Sequence, residues 1–171
     1  MTTVGVALGM KFHDSSLSFG ASACYILDLR HYPIFLDLKD RPVLVVGAGK
    51  VALRKTRALL EAGARVTVVA PEWEPEFETL PVKLVARRFR ANDLGDAVLA
   101  FAATDDRLAN HRMAIAAKGR GVFANIADCA GECDFVVPAR LHHKGIQIAV
   151  STGGENPRLA AEIRRKLEEI L

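Results

Sequence analysis

The chain has 171 residues, half of them apolar and a quarter charged, enough for one buried core with an appendage. A formal net charge of +3, with basic residues dispersed among acidic ones, argues against nucleic acid as a partner. No apolar run approaches the roughly 18 residues that span a bilayer, the first residues lack the basic flank of a secretory signal, and three cysteines beside an ample core fit reduced thiols, so a cytoplasmic protein away from membranes is expected.

Residues 1–30 mix Gly, Ser and Thr with scattered apolar residues and no sustained period, the pattern of a poorly ordered leader. The globular pattern begins at Tyr32-Pro33-Ile34-Phe35-Leu36. A buried strand is expected at 43–46, running directly into Gly47-Ala48-Gly49-Lys50-Val51-Ala52, a glycine turn that opens a helix. The first glycine permits the tight turn, the second lets a phosphate approach bare backbone, and small Ala52 lets helix and strand pack closely. The helix, expected over 50–62 with Val51, Leu53, Ala58, Leu59 and Leu60 on its apolar side, would aim its free N–H groups at that phosphate before Gly63 stops it. Further expected elements are a strand at 65–69, a short helix opening at Pro71 and ending near Leu80, and a strand at 82–86. After the turn Asn92-Asp93-Leu94-Gly95 come a strand at 98–102, the cap Thr104-Asp105-Asp106, a helix over 107–118 and a strand at 122–126.

This alternation predicts an α/β protein with a Rossmann-like parallel sheet and helices on both faces, its ligand lying beyond the carboxyl ends of the first and fourth strands. Candidate cofactor contacts are Gly47, Ala48, Gly49, Lys50 and Val51, with Ala70 and Pro71 after the second strand and Thr104 and Asp105 after the fourth. An acid for the adenine ribose is expected about 20 residues past the glycines. The second strand ends in Ala70-Pro71 and the first acids are Glu72 and Glu74, so the residues by themselves leave NAD and NADP both open.

Beyond Asp128 the rhythm changes. Residues 135–139 and 146–150 read as a β-hairpin joined through His142-His143-Lys144-Gly145, followed by a C-terminal helix at 156–171 with Leu159, Ile163, Leu167 and Ile170 on one side. A lone hairpin is marginal in water and a second copy is an economical partner, so a homodimer is expected. The expected organisation is a leader at 1–30, an NAD-binding domain at 31–127, a hairpin dimerisation segment at 128–152 and a C-terminal helix from 153 to 171. Cys129, Cys133, His142 and His143 offer thiolate and imidazole, but one C-x-x-x-C pair without a second close pair is poor zinc spacing, and no fixed metal ligands are expected. His13 and His31 carry no signal.

Several separated segments now combine: Tyr32-Pro33-Ile34-Phe35-Leu36-Asp37-Leu38; Gly47-Ala48-Gly49 with Val51-Ala52 and Arg54-Lys55; and Val66-Thr67-Val68-Val69-Ala70-Pro71. Further on come Ala103-Thr104-Asp105-Asp106 with Asn110, Asn125-Ile126-Ala127-Asp128, Phe135-Val136-Val137-Pro138-Ala139, and Ser151-Thr152-Gly153-Gly154 with Pro157 and Leu159-Ala160. In their order and spacing, from about Tyr32 onward, the chain resembles the precorrin-2 dehydrogenase and sirohydrochlorin ferrochelatase family, the N-terminal part of siroheme synthase. The resemblance implies a cytoplasmic homodimer of siroheme (porphyrin) biosynthesis, an oxidoreductase that uses NAD to convert precorrin-2 to sirohydrochlorin and in many members inserts Fe²⁺.

It also places the family's catalytic acid/base aspartate on Asp128. That position suits the chemistry, since a carboxylate just past the fifth strand could take a proton as a hydride leaves toward the nicotinamide. The family commonly lacks the ribose-binding acid, which tips the cofactor to NAD. Its substrate is a flat macrocycle edged with carboxylates, so cations and hydroxyls are wanted, and Arg54, Lys55, Arg140, Thr152 and Arg158 are the candidates. Family members usually continue with further helices that help enclose the macrocycle; this sequence holds only the first, which makes dehydrogenation the firmer expectation and ferrochelation the open one. The methyltransferase domain of fused siroheme synthases has no counterpart among these residues. From another class, the alternative is a non-catalytic dimeric NAD(H)-binding sensor module, which needs the glycines but not Asp128.

Overall fold

The computed structural model describes residues 31–171, and the expected leader lies outside the described residues. Two compact units are distinguished, one from Pro33 to Val137 and one that includes Pro138 to Leu171.

Five parallel strands build the first unit: β1 (Pro42–Val46), β2 (Arg65–Ala70), β3 (Lys83–Ala86), β4 (Leu99–Ala102) and β5 (Phe123–Ile126), in the order β3-β2-β1-β4-β5. Central β1 pairs on both sides, so that Val45 lies opposite Val68 of β2 and Phe101 of β4. Alternate residues point to opposite faces. Val43 and Val45 therefore enter one core with Phe77, Leu99 and Phe101, whereas Leu44 and Val46 enter the other with Ala100, Met113, Ala117 and Ile126. A strand covered on both faces has no polar side to present, which is why Val43-Leu44-Val45-Val46 is continuously apolar.

Helix α1 (Lys50–Glu61) buries Ala52, Leu53, Thr56 and Leu59, and its apolar residues join the first core. These positions recur at helical spacing; Val51, expected on the apolar side, falls off that stripe and is exposed at the helix start. Gly63, at φ +78°, ends α1. Helix α2 (Arg107–Arg120) contributes Met113 and Ala117 to the second core. The N-cap of α2 is Asp106, whose carboxylate accepts the N–H groups of Leu108 at 2.9 Å and Ala109 at 3.1 Å.

Two expected elements take a different form. The helix expected from Pro71 is a short 3-10 turn over Pro75–Thr79, because Pro75 supplies its first residue and Pro81 drives Leu80 into the extended conformation that ends it. Fully buried Phe77 pins this turn to the core. The turn expected at 92–95 is likewise a 3-10 turn, over Ala91–Leu94, anchored by buried Leu94.

In the second unit, β6 (Ala139–His143) and β7 (Ile146–Val150) form an antiparallel hairpin. Its first strand starts where the expected one ends. Phe135 is instead committed to the first core, edge-on to Phe101 at 5.5 Å between ring centres, and Pro138 has no N–H for a ladder. Lys144 and Gly145 both have positive φ, 45° and 82°, the geometry of a tight two-residue hairpin turn that sets Ala139 opposite Val150. Helix α3 (Pro157–Ile170), capped by Asn156 through the Leu159 N–H at 2.9 Å, packs on both hairpin strands and buries Ala160. Among the described residues no helix is long and apolar enough to cross a membrane.

Replacing Asp106 by Ala leaves two N–H groups of α2 without their acceptor. Urea unfolding is expected to show a loss of about 0.5–2 kcal/mol, and an unchanged unfolding curve would contradict this role for the cap.

Candidate cofactor and catalytic site

The carboxyl ends of β1 and β4 meet at Gly47. Its N–H donates to the Val69 carbonyl at 3.0 Å, and the Ala103 N–H donates to the Val46 carbonyl at 2.8 Å, so the three central strands end in one hydrogen-bonded seam. A Cβ at position 47 would lie 2.4 Å from the Ala103 oxygen and 2.9 Å from Thr104 Cγ2, and φ is +98°. Only glycine fits there. Gly49, two residues on, is the N-cap of α1 at φ −83°, and a Cβ there would meet nothing within 4 Å.

The first turn of α1 has neither a side-chain cap nor a carboxylate. Its first intrahelical bond is Leu53 N–H to the Gly49 carbonyl at 2.9 Å, leaving the N–H groups of Lys50 and Val51 at an open helix start. Open space over Gly49 together with uncapped donors and the positive end of the helix dipole makes a candidate cradle for a pyrophosphate. The Ala48 carbonyl accepts the Glu74 N–H at 3.0 Å, which ties the segment after Ala70-Pro71 to this turn.

Thr104 and Asp105 follow the end of β4 beside the glycine turn, and Asn110 on α2 holds Thr104 there. Asn110, fully buried on α2, accepts the Thr104 hydroxyl at 2.7 Å and the Thr104 N–H at 3.2 Å through Oδ1, and donates to the Thr104 carbonyl at 3.0 Å through Nδ2. The Thr104 hydroxyl also accepts the Asp106 N–H at 3.2 Å. Every polar group of Thr104 is thus fixed.

At the end of β5 lie Asn125, Asp128 and the short loop that follows. Asp134 returns to pair with Ala124, its N–H donating to the Ala124 carbonyl at 2.9 Å and its carboxylate accepting the Ala124 N–H at 2.9 Å, which pins that loop to β5. Asp128 is exposed, and its Oδ1 lies 3.7 Å from Nη1 of Arg107 at the start of α2. Arg107 also pairs closely with Glu132, and Nδ1 of His111, one turn further along α2, contacts the same Glu132 oxygen at 2.8 Å. Arg107 and then His111 hold the Glu132 carboxyl below the usual carboxylate range. Arg107 and Glu132 are 25 residues apart and share no motif, so nothing in the sequence pairs them.

Lys55 and Arg54 part ways in the structure. Arg54 is exposed on α1, whereas Lys55 is partly buried with its Nζ donating to Asn125 Oδ1 at 2.8 Å. Cys133 accepts the Ile126 N–H at 3.1 Å, and burial pushes its thiol up. Arg140 on β6, Thr152 after β7 and Arg158 on α3 belong to the second unit. There the Thr152 hydroxyl accepts the Asn156 N–H at 3.0 Å, and both arginines are exposed. Among the described residues no group of three or more His, Cys, Asp or Glu side chains is gathered as a metal site.

The two glycines should fail differently. Gly49→Ala is expected to keep the unfolding midpoint while weakening NAD⁺ binding by about tenfold or more, roughly 1.4 kcal/mol, because its Cβ occupies only the phosphate space. Gly47→Ala should lower stability itself. Calorimetric titration beside thermal unfolding checks both, and equal NAD⁺ affinity in Gly49→Ala would contradict the cradle.

Comparison with known proteins gives the same cofactor class. A family model described as putative NAD(P)-binding matches residues 34–139, and a sirohaem biosynthesis protein central model matches residues 144–170. The chain is 43% identical over 142 residues to siroheme synthase of Methylococcus capsulatus, covering 81% of this chain and 30% of that protein. It is 41% identical over 145 residues to siroheme synthase 2 of Cronobacter sakazakii, covering 82% and 32%. The chain thus spans about a third of the length of these curated relatives. Among solved structures, the precorrin-2 dehydrogenase SirC superposes with a TM-score of 0.73 at 28% identity, over 82% of this chain and 71% of that one. The Rossmann-like fold and the NAD cofactor expected from the sequence agree with these matches, and the chain belongs to the NAD(P)-binding family that includes the siroheme synthases and precorrin-2 dehydrogenase.

Proposed function

We propose that the chain is an NAD-dependent dehydrogenase that oxidises precorrin-2 to sirohydrochlorin in siroheme biosynthesis. The observation that carries this reading is the carboxylate of Asp128, exposed just past the end of β5, with an arginine beside it. The likeness to SirC over most of both chains supplies the substrate class.

Bound NAD⁺ supplies the hydride acceptor, and the balanced reaction turns precorrin-2 and NAD⁺ into sirohydrochlorin, NADH and a proton. The chain's own residues do the rest. Gly47, Ala48 and Gly49 with the N–H groups of Lys50 and Val51 would hold the pyrophosphate, and Ala70 and Pro71 at the end of β2 would lie toward the adenosine. Thr104, locked by Asn110, and Asp105 after it would border the nicotinamide end. Asp128 accepts the proton that the substrate loses as the hydride departs. Arg107, itself clamped by Glu132, keeps that carboxylate at the edge of the crevice.

The loop after β2 carries Glu72 and Glu74 and, up to Leu80, no Lys or Arg; NAD is taken over NADP on the family likeness. Arg54, Arg140, Thr152 and Arg158 are assigned to the carboxylate rim of the macrocycle on their chemistry. A homodimer is proposed on the apolar residues that the hairpin unit leaves exposed, Ile146, Leu159 and Ile170. Fe²⁺ insertion would use Asp128 again, taking the protons that leave the ring nitrogens, with iron as substrate. A cytoplasmic location is proposed on the free thiols of Cys129 and Cys133. We place the end of the NAD-binding domain after Val137 rather than after 127, because Asp134 and Phe135 of the expected dimerisation segment pack on the first unit, and leave the hairpin and the C-terminal helix to follow from Pro138.

Anaerobic assay with precorrin-2 and NAD⁺, following NADH and the sirohydrochlorin spectrum together, tests this. Asp128→Asn is expected to keep NAD⁺ affinity and lower kcat by about 10²–10⁴-fold. Undiminished turnover in that variant would remove Asp128 from the chemistry, and wild-type protein that binds NAD⁺ without reducing it would favour the sensor.

A further inference from the structure

Lys55 is a cation in an unusual setting. Its side chain leaves α1, passes over the ring of Phe101 in β4 with Nζ 5.1 Å from the ring centre, and ends on Asn125 Oδ1 in β5 at 2.8 Å. Asn125 is itself buried, and its Nδ2 donates to the Phe135 carbonyl at 2.9 Å, which fixes the amide so that its oxygen faces the ammonium. Phe135 in turn packs edge-on against Phe101. The position of Nζ is therefore built by several elements, and a flexible surface lysine has no such support.

The charge, however, is not balanced. An ammonium has three N–H donors, and here one goes to a neutral amide and the ring faces another side. Among the described residues no carboxylate pairs with it. The groups facing it are Arg54 from its own helix, Phe101 from β4, Asn125 from β5 and Cys133 from the loop beyond. Burial, and then the like charge of Arg54, lowers the Lys55 pKa from its ordinary value. Partly desolvated charges persist in folded proteins when something pairs with them. Its partner Asn125 lies three residues before Asp128, on the strand that delivers the candidate catalytic carboxylate.

We propose that Lys55, oriented by Asn125, receives a carboxylate of the macrocyclic substrate and so fixes which edge of the ring is presented to Asp128. The inference rests on the tetrapyrrole reading given above and deepens it. The bland role for an inward lysine, packing its stem on the core, accounts for neither the fixed amide nor the missing counter-charge. Arg54, exposed one residue earlier, has among the described residues no fixed partner to aim it.

The test uses uroporphyrin, a stable macrocycle with a comparable rim of carboxylates, titrated into the intact chain with NAD⁺ binding measured in parallel. Lys55→Gln can still donate to Asn125 but carries no charge. It is expected to weaken uroporphyrin binding by about tenfold with NAD⁺ affinity unchanged, and in turnover to raise KM for precorrin-2 more than it lowers kcat. Wild-type affinity should fall as pH rises through the lowered lysine pKa, because the deprotonated amine no longer attracts a carboxylate; Lys55→Arg should remove that fall. Equal uroporphyrin affinity in Lys55→Gln and wild type would overturn the role of Lys55 and leave the tetrapyrrole reading standing. Wild-type protein that binds NAD⁺ but no uroporphyrin, and turns over no precorrin-2, would overturn both.

Discussion

The approach of the β1 turn to the end of β4 is the contact on which the rest of the structure depends. At Gly47 the chain turns within van der Waals contact of the Ala103 carbonyl, and no side chain can be accommodated there. That closeness is possible because β1 and β4 are neighbours in a parallel sheet, with Val46 opposite small Ala102 at their ends. It has two results. The following residues are thrown outward, which leaves Gly49 and the start of α1 open, and the loop after β4 is drawn alongside them. The proposed dinucleotide crevice is the space left between two elements that touch at their base.

Rigidity on one side of the crevice contrasts with charge on the other. Thr104 is bound at its N–H, carbonyl and hydroxyl by a single buried asparagine, so the wall proposed to border the nicotinamide has little freedom. At the end of β5 the polar groups are ionic and more exposed: Asp128, Arg107, Glu132 and His111 form one chain of contacts along the start of α2. Exposed ion pairs contribute little to stability. In the proposed reaction they would hold a carboxylate in position without burying it, which suits a group that must exchange protons with a substrate and then with water. Lys55 adds the opposite charge from the other face of the sheet, and Asn125 is the hinge between the two, since it bonds Lys55 and leads along β5 to Asp128.

The parallel sheet and the cofactor cradle are legible in the sequence because their physics is local. Val43 to Val46 is continuously apolar, as a strand buried on both faces must be, and two glycines with a small residue, set between that strand and a helix start, suit a phosphate turn. The short helix after β2 is harder to place, because Pro71 has the look of a helix start whereas Pro75 and Pro81 bound the turn that forms. The first hairpin strand lies later than its apolar pattern suggests: Phe135-Val136-Val137 is as apolar as a strand, and only the packing of Phe135 on Phe101 shows where those residues belong. Side-chain partnerships are the least legible layer. Asn110 lies with Met113 and Ala117 on the inner face of α2, where a polar residue requires a partner, and that placement is the signal by which it could be found. The pairing of Arg107 with Glu132 and the inward turn of Lys55 depend on segments meeting across the fold, which no spacing along the chain encodes.

All of this turns on a nicotinamide dinucleotide lying across the ends of β1 and β4. Titrating NAD⁺ into isotopically labelled protein and following the backbone amides by NMR tests that most directly. The account predicts concerted shifts at Gly47, Gly49, Lys50, Val51, Thr104 and Asp105, with the far ends of the same strands, at Val43 and Leu99, unmoved. Saturable shifts confined to another surface, with the glycine turn silent, would contradict it.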